Sequence, residues 1–155
     1  MLKESFTVDE IREKLAKYCV YQDRCHQEVE KKMKEYMLIP EAKDQILIYL
    51  IQNDYLNEER FAKNFVRGKF NQKKWGINKI SVELKKRGIP LSLIRAALEE
   101  IDRDEYLEVL KQLYTDKKNS LKSERDSLKK KAKIRRYLLQ KGYESDLIYN
   151  LIRYD

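Results

Sequence analysis

The spacing of apolar residues between Asp54 and Ile101 leaves little room for anything but helices. Phe61, Ala62, Phe65 and Val66 recur at helical intervals, then Ile77, Ile80 and Leu84, then Leu91, Ile94, Leu98 and Ile101. Gly88 stands just after the second pattern and Pro90 opens the third. A glycine there tolerates the left-handed conformation that ends a helix, and a proline at a first helical position has no donor to waste. The stretch is expected to hold three short helices.

The same grammar extends in both directions. Thr7, with Glu10 three residues on, makes a capping box for a helix carrying Val8, Ile11, Leu15 and Tyr18 and ending near Val20. Residues 1–6 before it are expected to fray. Asp23 is the expected cap of a second helix through Val29, Met33 and Tyr36, broken by Leu38-Ile39-Pro40. A third runs from about Glu41 with Ile46, Leu47, Leu50 and Ile51 inward. In the central stretch Asn57 is the first cap, and Gly68 with the polar run Asn71–Lys74 ends the first helix. Beyond it, Asp102 or Asp104 starts a helix with Tyr106, Leu107, Leu110, Leu113 and Tyr114. Thr115–Lys122 then reads as a polar connection. Ser123 or Asp126 caps a long basic helix through Leu128, Ala132, Ile134, Tyr137 and Leu138, which Gly142 ends. Ser145 caps the last helix, with Leu147, Ile148, Leu151 and Ile152.

Nine helices in three groups of three result, and the groups superpose. Gly88 aligns with Gly142, Leu84 with Leu138, Ile80 with Ile134, Ile94 with Ile148 and Leu98 with Ile152. In the first group Met33, Val29 and Leu47 match, while Met37 takes the glycine position and Lys43 the isoleucine position. A period near 50 residues made of helix triplets describes a short repeat array, in which each unit buries its apolar face partly on its neighbour. The fold class expected is all-α: three tandem three-helix repeats, residues 1–53, 54–101 and 102–155, in an elongated, curved array. Only four Gly and two Pro argue in the same direction, against an all-β fold.

Charge is distributed unevenly. The chain carries net +8, yet residues 1–53 hold 9 basic and 10 acidic side chains. Residues 60–87 hold 10 basic and 1 acidic, and residues 117–141 hold 11 and 2. Two basic blocks at matching repeat positions suggest a polyanion, most simply nucleic acid; a solvated lysine-rich helix face is the plainer alternative. In the first central helix Arg60, Lys63, Arg67 and Lys74 form a stripe opposite Phe61 and Phe65. Lys73 and Lys74 flank Trp75. Lys79 and Lys86 share a face of the next helix, with Lys85 and Arg87 beside it. Lys129, Lys130, Lys133, Arg136 and Lys141 repeat the arrangement in the last unit. Such stripes contact phosphates and carry no sequence code. Trp75 could stack on a base or lie between helices as core. Most of the eleven tyrosines fall at core spacing.

No catalytic constellation is visible. The single histidine, the absence of a glycine-rich phosphate loop and the divergence of Glu58 and Glu59 on one helix leave no reacting centre. Cys19, Cys25 and His26 match no common zinc spacing, so reduced thiols and no cofactor are expected. No run of 18 apolar residues can span a membrane, and the N-terminal sequence lacks the apolar core of a secretory signal; a cytoplasmic location is expected.

The central motif residues carry a resemblance. Leu56-Asn57-Glu58-Glu59-Arg60-Phe61-Ala62, Phe65-Val66-Arg67, Trp75-Gly76, Ile80, Glu83-Leu84, Arg87-Gly88-Ile89 and Ala97-Leu98 resemble the central repeat of RecX proteins, bacterial regulators of the RecA recombinase. Lys133-Ile134-Arg135-Arg136-Tyr137-Leu138-Leu139-Gln140-Lys141-Gly142-Tyr143 is similar to their last repeat, and Tyr18, Arg24 and Glu28-Val29 to their first. Glu59 stands where an aspartate is usual. The resemblance implies three three-helix repeats and a monomeric, non-enzymatic protein. It further implies docking in the groove of the RecA nucleoprotein filament, beside single-stranded or duplex DNA, and restraint of RecA ATP hydrolysis and strand exchange. Two other readings compete. Helix 76–87, the turn Gly88-Ile89-Pro90 and helix 91–101 mimic a helix-turn-helix regulator, although LSLIRAALEEI holds one Arg and two Glu where a recognition helix needs donors. A helical scaffold that binds only protein is the third.

Overall fold

In the computed structural model, residues 5–154 are described; of the tail expected at residues 1–6, residues 1–4 lie outside them. The order is α1 (Val8–Tyr21), α2 (His26–Met33), α3 (Pro40–Gln52), α4 (Glu58–Lys73), α5 (Ile77–Lys86), α6 (Leu91–Leu98), α7 (Arg103–Ser120), α8 (Ser127–Lys141) and α9 (Ser145–Ile152), with no strand among the described residues. The closest helix pairings fall inside triplets: α1 with α2 and α3, α4 with α5 and α6, and α8 with α7 and α9. The protein exposes 10595 Å² of surface. A compact monomer of 18.8 kDa would expose about 8,300 Å², so the surplus suits an extended array rather than a sphere.

Several caps form where the side chains allow it. Thr7 accepts from the Glu10 amide at 3.1 Å, Asn57 from Arg60 at 3.0 Å and Asp102 from Glu105 at 2.9 Å. Asp126 accepts from both Leu128 and Lys129. Each satisfies a donor that a helix start leaves without an intrahelical partner. Asp23 does not cap α2. That position belongs to Cys25, whose amide donates to Glu28 at 3.3 Å, and α2 ends at Met33, short of Tyr36. Pro40 opens α3 at its first position. Gly68 does not end α4, which runs to Lys73. The expected connection at Thr115–Lys122 is largely helix, because α7 extends to Ser120. Ser145 is the first residue of α9, and Glu144 holds the cap position. Val8, Ile51, Leu91, Leu107, Leu128 and Ala132 face outward. Of the tyrosines only Tyr106, Tyr114 and Tyr143 are buried.

Two separate cores result. Ile11, Leu15, Val29, Met33, Ile46 and Leu50 make one, closed by Leu56 from the α3–α4 connection. The other is continuous through the second and third units, from Phe61, Val66 and Phe70 through Ile80, Leu84 and Ile94 to Tyr106, Leu110, Leu138, Tyr143 and Ile148. Phe61 and Leu84 sit within it at 7% and 0% exposure. Alanine at either is expected to cost about 2–5 kcal/mol in chemical denaturation, well beyond alanine at Lys63 or Lys79. Equal losses at all four positions would mean that these helix faces are wrongly assigned.

The units are joined by the start of each middle helix. The Gly76 amide donates to the Lys141 carbonyl at 2.8 Å and the Asn78 amide to the Gly142 carbonyl at 2.9 Å. The Ile77 amide donates to Tyr106 Oη at 3.1 Å, and that hydroxyl donates in turn to Glu144. At the preceding joint Cys25 enters the second core and the His26 amide donates to Glu58 at 3.2 Å. The two joints use aligned positions, Cys25 with Gly76 and His26 with Ile77.

Candidate nucleic-acid and partner interface

The basic residues divide by what the fold gives them. Arg60 is consumed internally. Its Nε donates to Asp23 at 2.9 Å, Nη1 to Asp54 at 3.1 Å, and Nη2 to the carbonyls of Asp54 and Tyr55 at 3.1 and 3.2 Å. Asp23 also accepts from Asn64. Arg60 therefore ties the first unit to the second and has no donor fork left for a phosphate. Replacing Arg60 with alanine is expected to weaken this tie by roughly 1 kcal/mol. Amide exchange should quicken in α1–α3 and hold steady in α5–α9; uniform change along the chain would contradict this role.

Lys63 and Arg67 are also partnered. Lys63 reaches Glu59 at 2.9 Å and Glu100 at 3.7 Å, and Arg67 reaches Glu100 at 3.4 Å. The hydrogen bond that Lys63 donates to Glu59 raises the Lys63 pKa. The stripe expected on the first half of α4 is thus largely neutralised by acids from its own helix and from the residues just past α6.

The second half of α4 is different. Lys74 occupies the left-handed region, φ 57° and ψ 37°, which is uncommon for a residue with a side chain. This turn sets Trp75 half-buried, its edge toward Phe65 at 6.5 Å between ring centroids. Lys79 lies 4.4 Å and Lys69 5.0 Å from the Trp75 ring, and Arg87 lies 4.8 Å from the Phe65 ring. Cations over ring faces at these distances are held by the ring quadrupole. The third unit reaches into the same place: Lys141 Nζ donates to the Lys73 carbonyl at 3.2 Å, and Tyr143 Oη to the Lys74 carbonyl at 2.9 Å. Lys73, Lys74, Trp75, Lys79 and Lys141 are therefore brought together. Lys69 joins them, although its position between two aromatic residues gave no periodic signal.

Lys85 and Lys86 close α5, where positive charge suits the helix dipole. Lys86 and Arg87 pair with Glu83 at 3.3 and 3.1 Å, and the hydrogen bond from Arg87 holds the Glu83 carboxyl below its usual range. On α8, Lys133 pairs with Glu124 at 2.8 Å and lowers that carboxyl in the same way. Lys73, Lys74, Lys85, Lys129, Lys130 and Arg136 have no acidic partner among the described residues, and all but the half-buried Lys130 are exposed.

Both cysteines are free and buried; burial raises the pKa of Cys19 and pushes the Cys25 thiol up to about 11, so neither presents a thiolate at neutral pH. Among the described residues no cluster of His, Cys, Asp and Glu could hold a metal ion. No described helix is long and apolar enough to cross a membrane.

Comparison with known proteins fits this arrangement. The model of the second three-helix domain of RecX matches residues 57–98, and that of the third three-helix domain matches residues 104–152. The chain belongs to the RecX family. The regulatory protein RecX of Serratia proteamaculans (strain 568) is 32% identical over 118 residues, covering 74% of this chain and 66% of the relative. RecX of Clostridium botulinum (strain Eklund 17B / Type B) is 34% identical over 106 residues, 68% of this chain and 49% of that one. The chain thus spans about half to two thirds of the length of these relatives. The crystal structure of RecX from Lactobacillus salivarius superposes with a TM-score of 0.84 at 26% identity and 95% coverage of both chains. A further RecX crystal structure, at 24% identity and a TM-score of 0.83, shares the fold.

Proposed function

We propose that this protein is a non-enzymatic regulator that docks as a monomer on the RecA–DNA filament in the cytoplasm. There it contacts DNA without sequence preference and restrains RecA ATP hydrolysis and strand exchange, and so modulates recombination and the SOS response. The observation that carries the reading is the cluster at the joint of the second and third units. Five lysines, at 69, 73, 74, 79 and 141, surround or flank a half-buried tryptophan on a backbone pinned by inter-unit hydrogen bonds. A rigid site of this kind can meet phosphates with its ammonium groups and a base with its ring. A second support comes from α8, where Lys129 and Lys130 lie in a first turn without an acidic residue. Asp126 caps this helix start, and the ammonium groups of Lys129 and Lys130, without an acidic partner among the described residues, are left for a polyanion.

The helix-turn-helix reading loses ground on the same residues. Ile94 and Ala97 of α6 are buried, and its exposed residues include a single cation, Arg95. The deciding experiment is RecA ATPase on single-stranded DNA with this protein titrated in. A dose-dependent fall is expected. An unchanged rate at excess protein would refute the function, and salt-insensitive inhibition without DNA affinity would move it to a purely protein-binding scaffold.

A further inference from the structure

The outer face of α8 holds a feature that this function does not use. A groove of about 580 Å³ runs between α8 and α9. Ala132, Ile148 and Ile152 line it with apolar surface, and Tyr149 stands beside them at 64% exposure. Lys131 and Arg135 edge it, against Asp146 alone. A second hollow of about 450 Å³ shares Ala132 and Arg135 and continues past Arg136 to Leu139. Leu128, at 80% exposure, lies one turn before Ala132 on the same helix. Leu128, Leu139 and Tyr149 are all exposed on this unit. The internal repeat supplies a control. In the second unit the positions of Ala132, Arg135 and Tyr149 hold Asn78, Ser81 and Arg95, so the face is not a requirement of the fold.

We propose that this groove is a docking site for an acidic amphipathic helix of a protein partner. The lining takes apolar anchors spaced three or four residues apart, the usual way a helix lies in a groove. The rim selects the charge. Lys131 and Arg135 have no acidic partner among the described residues, in contrast to Arg60, Lys63 and Arg67. A nucleic-acid backbone would satisfy those cations but leave the apolar lining unfilled, so a peptide with both features fits better. The site is separate from the cluster around Trp75, since none of its residues belongs to that cluster.

The test uses the full chain and a short fluorescein-labelled helical peptide with leucines on one face and glutamates elsewhere. Its lysine counterpart and labelled oligothymidylate serve as comparisons, all read by fluorescence anisotropy. Saturable binding of the acidic peptide is expected, with the lysine version at least about tenfold weaker. Ala132→Gln, which fills the lining, and Arg135→Glu, which reverses the rim, should each weaken the acidic peptide by about tenfold or more. Oligothymidylate affinity should not change with Ala132→Gln. Both positions are exposed, and unchanged thermal melts would show that the variants fold. Absence of saturable binding at millimolar peptide would overturn the proposal, as would binding that survives both substitutions. Oligothymidylate affinity that falls with Ala132→Gln would also overturn it, by assigning the face to nucleic acid.

Discussion

Alanine at Gly142 is expected to be among the most damaging single substitutions in this protein, at about 3–5 kcal/mol. Two costs combine there. Gly142 ends α8 with φ at 100°, a conformation that a side chain resists. A Cβ at the same place would also run into Lys79, including its backbone nitrogen. Alanine at Gly76 meets the second cost alone. Its φ of −77° suits any residue, but its Cβ would collide with the backbone of Gly142 and Tyr143. Gly68 is the control, because a Cβ there meets nothing within 4 Å in mid-helix. Alanine at Gly68 should stabilise by about 0.5–1 kcal/mol. Denaturant melts of the three variants therefore differ in sign as well as size. A mild effect at Gly142 would mean that the joint of the second and third units is looser than its hydrogen bonds indicate.

The largest functional effect is expected from charge reversal. Lys73, Lys74, Lys85 and Lys86 are all exposed, so glutamate at the four positions should leave the helices standing. If each ammonium neutralises one phosphate, the slope of log affinity against log salt on single strands should flatten by about 3. RecA inhibition should fall with it. Reversal of Lys129, Lys130, Lys133 and Arg136 is expected to act alike, because equivalent helices of successive repeats face alike. Reversal of Lys14 and Lys17, in the near-neutral first unit, should do much less. Folded quadruple variants that still inhibit RecA at wild-type concentrations would defeat the basic-surface mechanism and leave the family membership standing.

Residues whose partners lie close in sequence were legible in advance. Thr7 with Glu10, Asn57 with Arg60 and Gly142 after α8 are local devices, and each acts as its spacing implies. The helical triplets follow from the same local rules. What escaped depends on long-range pairing. Asp23 has the chemistry of a helix cap, yet the fold presents it to Arg60 and Asn64, 37 and 41 residues away. Glu100 lies far from Lys63 and Arg67 in sequence and neutralises both. Thr115–Lys122 is polar enough for a loop, but Tyr114 is buried and α7 continues beyond it to Ser120. Trp75 could not be placed from its neighbours, because Tyr143 and Lys141 of the next unit pin the turn that presents it.

The division into two cores bears on what a melting curve of this protein means. The first unit closes its own apolar cluster and meets the second through Cys25 and a partly exposed polar tie. The second and third units share one continuous interior. In a linear chain of coupled elements, such unequal interfaces split the cooperativity. The weaker end can open while the remainder stays intact. A single midpoint would then average two events of different size, and one unfolding free energy would describe neither. Calorimetric and van't Hoff enthalpies should disagree for the whole chain and converge for a fragment that begins at the α3–α4 connection.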